Sequence, residues 1–162
     1  MRVHTSVLIQ RPIATVFGYL STPGRVPCWV SGVATADGPL PDELGVGATL
    51  ELANITSLGT IRSSWEVTAY EPPRSFALRG LDGARGVEVR WTLEGTPSGA
   101  TRVWVESDLL AIGFFHPAAS QVQELGVGRL QEDLDALRRR LEDGEIDKCN
   151  GRAPPDWRGG AV

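Results

Sequence analysis

From about residue 32 to residue 109 the apolar residues of the chain recur at every second position, and beyond that stretch they recur at every third or fourth. This switch of period leaves few folds open. A period of two sends successive side chains to opposite faces of a strand, whereas a period near 3.6 gathers one stripe along a helix. Segments 31–37, 47–55, 60–70, 75–81, 86–94 and 101–109 carry the strand pattern. Between them fall Pro39 to Gly45, Leu58-Gly59, Pro72-Pro73, Asp82-Gly83 and Thr96 to Gly99, all rich in turn formers. Short strands joined by short turns predict an antiparallel meander.

The flanks complete the outline. Residues 3 to 10 place Val3, Thr5, Val7 and Ile9 on one side of a further strand, and Pro12 then opens a short helix through Ile13, Val16, Phe17 and Leu20, which Pro23 and Gly24 stop. Cys28, Trp29 and Val30 form the apolar centre of a second, one-turn helix. After Ile112 to Phe115, Pro117 opens a long helix with Val122, Leu125, Leu130, Leu134, Leu137 and Leu141 as its stripe and Gly144 as its stop. A chain of 162 residues suits one domain. Its expected bounds are 1–145, with 146–162, containing Pro154 and Pro155, expected to be a disordered or loosely attached tail.

The strands separate their faces. Ile61, Ser63, Trp65, Val67 and Ala69 share one side, and Arg62, Ser64, Glu66 and Thr68 the other; Val87, Val89, Trp91 and Leu93 likewise oppose Glu88, Arg90, Thr92 and Glu94. An apolar sheet face must be covered, and only the long helix has a stripe extensive enough to cover it. One helix on six or seven strands leaves volume over. That volume is either filled by side chains or open to a ligand, and the pattern leaves both readings standing. Gly126 and Gly128 weaken the helix and mark a bend or a close approach.

In this order the segments resemble the START-like helix-grip superfamily, also called the SRPBCC group, and within it the polyketide cyclase/dehydrase-like proteins. The resemblance is carried by Ile9-Gln10-Arg11-Pro12 with Val16-Phe17-Gly18-Tyr19-Leu20, by Pro27-Cys28-Trp29 and by Gly45-Val46-Gly47. It continues through Trp65 to Pro73 and Trp91-Thr92-Leu93 with Gly99 and Thr101, so that it spans about Arg2 to Asp143. It implies an α+β helix-grip fold: a curved antiparallel sheet of six or seven strands wrapped around a long C-terminal helix, with two short helices after the first strand. It implies function only loosely, because proteins resembling this one bind lipids, hormones or polyketides, act as cyclases or dehydratases, or assemble with partners.

Charge and motif content narrow the chemistry. A net charge of −4, with Arg138 to Arg140 interleaved among Asp133, Asp135, Glu142 and Asp143, reads as a solvated helix face and argues against nucleic acid. Cys28 and Cys149 stand far apart without His or Cys at metal spacing, so neither a disulfide nor a metal site is expected, and no cofactor. Met1 to Gln10 is no signal peptide and no run is long enough to span a bilayer, which points to the cytoplasm. Nucleophile elbows, phosphate loops and dinucleotide fingerprints are absent. Glu66, Glu88 and Glu106 fall on the charged face with Arg62, Arg90 and Arg102 as expected ion-pair partners.

The expected function is binding of a small hydrophobic or aromatic, polyketide- or lipid-like ligand between sheet and helix. Trp29, Trp65, Phe76, Leu78, Trp91, Phe114, Phe115, Val122 and Leu125 supply its apolar contacts, and Ser63, Ser107 or His116 orient it. An alternative is a cyclase or dehydratase with His116 as acid or base. A second alternative is a partner-binding subunit without a ligand, in which an outward Trp104 meets a partner or the second copy of a homodimer.

Overall fold

The computed structural model of the protein describes residues 2–40, 42–56, 59–83, 86–108 and 119–144, with the backbone alone at Thr56 and 119–127. Strand β1 (Arg2–Ile9) is followed by helix α1 (Ile13–Leu20), a single 3₁₀ turn (Pro23–Arg25) and helix α2 (Val26–Trp29). The meander then runs through β2 (Val33–Asp37), β3 (Thr49–Thr56), β4 (Gly59–Glu71), β5 (Ser75–Gly80), β6 (Glu88–Gly95) and β7 (Thr101–Asp108), and helix α3 (Ala119–Glu142) is the last described element. The segment 109–118, with Phe114, Phe115 and His116, lies outside the described residues, as does the tail 145–162; so do the side chains of Val122 and Leu125.

All seven strands form one antiparallel sheet in the order β1-β7-β6-β5-β4-β3-β2. Each hairpin joins neighbours in sequence, and β1 is the exception, since it pairs with the last strand, Ile9 facing Thr101 and Arg2 facing Asp108. The sheet, the short helices after β1 and the C-terminal helix make the α+β helix-grip architecture that the resemblance implied. The β4–β5 register shifts between Val67 and Ala69, a bulge that bends the longest strand. Gly83 has a φ of +80°, and a Cβ there would lie 2.4 Å from the Arg62 carbonyl oxygen, so this turn admits only glycine.

The inner face buries Val7, Ile9, Val67, Val103 and Val105 in one cluster with Leu134, Leu137 and Leu141 of α3. Polar contacts hold the helix in place. Arg11 donates from Nε to the Leu141 carbonyl and from Nη2 to the Glu142 carbonyl, each at 2.9 Å, while the Gln10 N–H donates to Glu142 Oε1 at 2.9 Å. A guanidinium at the final carbonyls satisfies acceptors that the helix itself leaves open and faces the negative end of its dipole. Thr5 and Gln131 add a side-chain hydrogen bond between β1 and α3.

The outer face is charged, with a rearranged pairing. Glu66 is held by Arg79 at 2.5 Å, not by Arg62; Glu88 faces Arg79, and Glu106 faces Arg90. The strand neighbour rather than the sequence neighbour decides the partner. Trp104 lies on this face between Ser6 and Thr92 and is half-buried. Ile61 belongs to the apolar side but is 49% exposed near the β3–β4 turn. Cys28 is disulfide-bonded, which corrects the expectation that no disulfide forms. A Cβ at Gly128 would meet nothing within 4 Å, so no close approach explains that glycine.

Candidate functional site

Between the inner face of the sheet and α3 lies a cavity of about 160 Å³. Its wall is assembled from every layer of the fold. Alternation on β4, β5 and β6 turns Trp65, Phe76, Leu78 and Trp91 toward it, and α2 contributes Trp29. Asn54 enters from β3, and Leu130, Asp133 and Leu134 enter from α3. An engineered apolar cavity of about 150 Å³ takes up benzene, so this space suits one aromatic ring or a compact pair of fused rings.

The aromatic wall is continuous. Trp29 meets Trp91 edge to face, with centroids 6.0 Å apart at 77°, and Trp91 stacks on Phe76 at 5.7 Å and 23°. Phe76 continues to Tyr70 and Tyr70 to Phe17, which anchors the wall in the core. Such offset and perpendicular contacts hold rings rigidly and leave apolar faces toward the cavity. Ser63 is buried behind this wall, where it accepts a hydrogen bond from Trp65 Nε1 at 2.9 Å. It orients the indole and does not itself line the cavity. Ser107 is buried too, but in a second, polar recess of about 270 Å³ beside Arg2, Glu88, Arg90 and Glu106. Of the twelve residues expected to touch a ligand, Trp29, Trp65, Phe76, Leu78 and Trp91 are brought together at one cavity; Ser63 and Ser107 are not at its wall; the other five lie outside the described side chains.

The residue that sequence reasoning missed is Asp133. It stands in a run of charges that predicts a solvated face, yet it is only 8% exposed and is the one ionisable group at the cavity wall among the described residues. Its Oδ1 accepts the Ser31 N–H at 3.0 Å, which ties α3 to the loop after α2. Burial pushes its carboxyl up to about 6, against the Ser31 N–H and hydroxyl and the Arg129 guanidinium, which favour the charged form. The Ser31 hydroxyl is itself buried without an aligned hydrogen bond, and so is the Trp29 Nε1–H. Asn54 pairs with Val33, and the Ile55 N–H bonds the Gly32 carbonyl, so β3 brings Asn54 to the loop that Asp133 binds. The cavity therefore combines an aromatic wall with one polar corner. The signal was present in the helical phase: 130, 133, 134, 137 and 141 lie on one face.

No group of three or more His, Cys, Asp or Glu among the described residues is arranged to hold a metal ion, and no helix among them is long and apolar enough to cross a membrane.

Residues 1–142 match the family model described as polyketide cyclase / dehydrase and lipid transport. No curated protein sequence matches the chain. Among solved structures, the protein DR_A0006 from Deinococcus radiodurans superposes with a TM-score of 0.63 at 20% identity, over 89% of this chain and 99% of that one. The di-domain ARO/CYC BexL of the BE-7585A biosynthetic pathway reaches 0.69 at 12% identity, over 88% of this chain and 46% of BexL. The di-domain ARO/CYC StfQ of the steffimycin pathway reaches 0.66 at 17%, over 90% of this chain and 46% of StfQ. The chain thus corresponds to about half of each di-domain protein, and at these identities the likeness extends to the fold.

Proposed function

The chain belongs to the polyketide cyclase / dehydrase and lipid transport family, and on that premise we propose that it binds a small, flat, largely apolar molecule of polyketide-like or lipid-like class between the sheet and α3. The observation that carries this reading is the cavity itself, about 160 Å³ of space walled by Trp29, Trp65, Phe76 and Trp91 within the hydrophobic core. Close packing is the norm for interiors, so retained apolar volume next to rigid aromatic rings is a binding feature. The BexL and StfQ likeness supports the same reading at the level of fold.

The test is calorimetric titration with 2-methylnaphthalene. Saturable 1:1 binding with a negative heat-capacity change is expected, because apolar surface leaves water on both sides. Val89→Phe, which projects a ring into the same space from β6, is expected to abolish it while the protein stays folded by circular dichroism. Equal binding by the variant, or none by the wild type, overturns the reading.

One observation favours a second reading, chemistry on the bound molecule. Asp133 is a buried carboxyl moved to about 6, a range in which a group can both accept and return a proton near neutrality. His116, expected from sequence for such a role, lies outside the described residues. Turnover of a polyketide-like model substrate that falls away in Asp133→Asn would support this reading, and absence of turnover leaves carriage.

A further inference from the structure

The cavity lies along a seam between two elements. Val26, Trp29 and Val30, from α2 and the residue after it, form one bank, and Leu130, Asp133 and Leu134 of α3 form the other. A polar bond crosses the seam, from the Ser31 N–H to Asp133 Oδ1 at 3.0 Å. The far side of the same loop is fixed to the sheet, because the Ile55 N–H bonds the Gly32 carbonyl at 2.8 Å; Gly32 takes a φ of +80° where the chain swings from α2 into β2. The loop is thus held to the sheet by a backbone bond that ordinary pH does not alter, and to α3 by a carboxyl that titrates.

Few charges act on that carboxyl. Arg129 and Glu132, of its own helix, oppose one another. The loop after α2 brings the Ser31 N–H and hydroxyl, and no charged residue stands between Val26 and Val33. Arg25, just before α2, lies over the Tyr19 ring instead. From β3 comes the Asn54 amide, and the strands beyond it bring hydrocarbon and indole to the wall. Burial is therefore the dominant influence, and it favours the neutral acid. With the seam shut the carboxyl is buried, and with the seam parted it meets water. A group disfavoured as an ion when buried, but at ease as an ion in water, draws the equilibrium toward the parted state as pH rises.

We propose that Asp133 is a pH-operated latch on the cavity: protonated, it holds the loop after α2 against α3 and keeps a bound molecule enclosed; ionised, it lets the seam part and the molecule exchange with solvent. The release of a molecule rests on the ligand-binding reading of the cavity, whereas the parting of the seam needs no ligand. The carboxyl, pushed up from 3.8 to about 6, changes charge between mildly acid and neutral pH. If its ordinary value returns in the parted state, the opening equilibrium grows by about tenfold or more between pH 4.5 and pH 7.5.

The first test is hydrogen exchange at single-amide resolution on the full chain without ligand, at pH 4.5 and pH 7.5, with each rate referred to the intrinsic rate at the same pH. Protection of the Ser31 amide is expected to fall by about tenfold or more over that interval, and to stay below that of the β1 amides, which marks a local opening. Asp133→Asn keeps an acceptor for Ser31 and cannot ionise, so its Ser31 protection is expected to agree within about twofold at the two pH values. Unchanged protection in the wild type, protection equal to that of β1, or a fall that survives in Asp133→Asn overturns the latch. The second test is stopped-flow release of 2-methylnaphthalene, a probe with no titrating group. Its dissociation rate is expected to rise by about tenfold or more from pH 4.5 to pH 7.5 in the wild type and to stay flat in Asp133→Asn. A flat wild-type rate beside a pH-dependent Ser31 amide overturns the coupling of latch to cavity. Failure of the probe to bind at either pH overturns the ligand-binding reading, and the exchange result still decides the latch.

Discussion

Asp133 occupies a place where a carboxylate is unwelcome, and the protein keeps it there with one hydrogen bond to the Ser31 N–H. The consequence for stability has a definite sign. Unfolded, the group titrates near 3.8, and folded, near 6. A raised folded value means that the native state binds the proton more tightly, so Asp133 favours folding most below about pH 4 and loses that contribution as pH rises through 6. The full difference is on the order of 3 kcal/mol at most. Asp133→Asn is thus expected to melt with the wild type near pH 4 and above it at pH 7.5; denaturant unfolding at the two values checks this, and a variant less stable at pH 7.5 would contradict it. At this scale the sequence was legible where alternation rules. Strand period alone determines the side of Trp65, Phe76 and Trp91, and it places them on the inner face. Asp133 was hidden by composition, since Glu132 and Asp135 flank it and the charged run looks like any wet helix surface. Ser63 was placed on the proper face, but its service to Trp65 Nε1 depends on a side-chain geometry that no pattern records.

The elements follow from spacing, and α3 shows how far spacing reaches. Its stripe places Leu134, Leu137 and Leu141 in the core as expected, and its described start at Ala119 falls two residues after Pro117. What periodicity cannot supply is the tertiary partner of an end. Arg11 lies 130 residues before Leu141, and only the β1–β7 pairing delivers it to the last turn of the helix. Arg11→Ala is expected to lower stability by about 1–2 kcal/mol in urea unfolding, with Arg11→Lys intermediate because an ammonium keeps the charge but cannot bridge two carbonyls. Gly128 is a contrasting case. With open space where a Cβ would stand, Gly128→Ala is expected to stabilise by about 1 kcal/mol through helix propensity. A loss of stability there would reveal a need for glycine beyond local packing.

Across the whole molecule the two sheet edges are unequal. β2 is five residues long, carries a register irregularity against β3 and has no other strand beside it among the described residues. β1 is also an edge, but α3 packs on it and Gln10 and Arg11 lock its end to the helix. Native-state hydrogen exchange is expected to show β1 amides opening only with global unfolding and β2 amides through cheaper local openings; equal rates at the two edges would contradict this. The architecture was legible because turns and alternation recur with regular spacing and one amphipathic helix remains to cover the sheet. The cavity was not, because empty volume is the difference between side chains that meet and side chains that fall short, a quantity set in three dimensions. The pairing of β1 with β7 also orders events in time. A ribosome making roughly 5–20 residues per second releases the first strand many seconds before its partner in the sheet, residues 101–108, exists. Until then β1 lacks the strand it pairs with, whereas each hairpin from β2 to β7 joins strands adjacent in sequence, so the sheet's first-made strand depends on its last-made one.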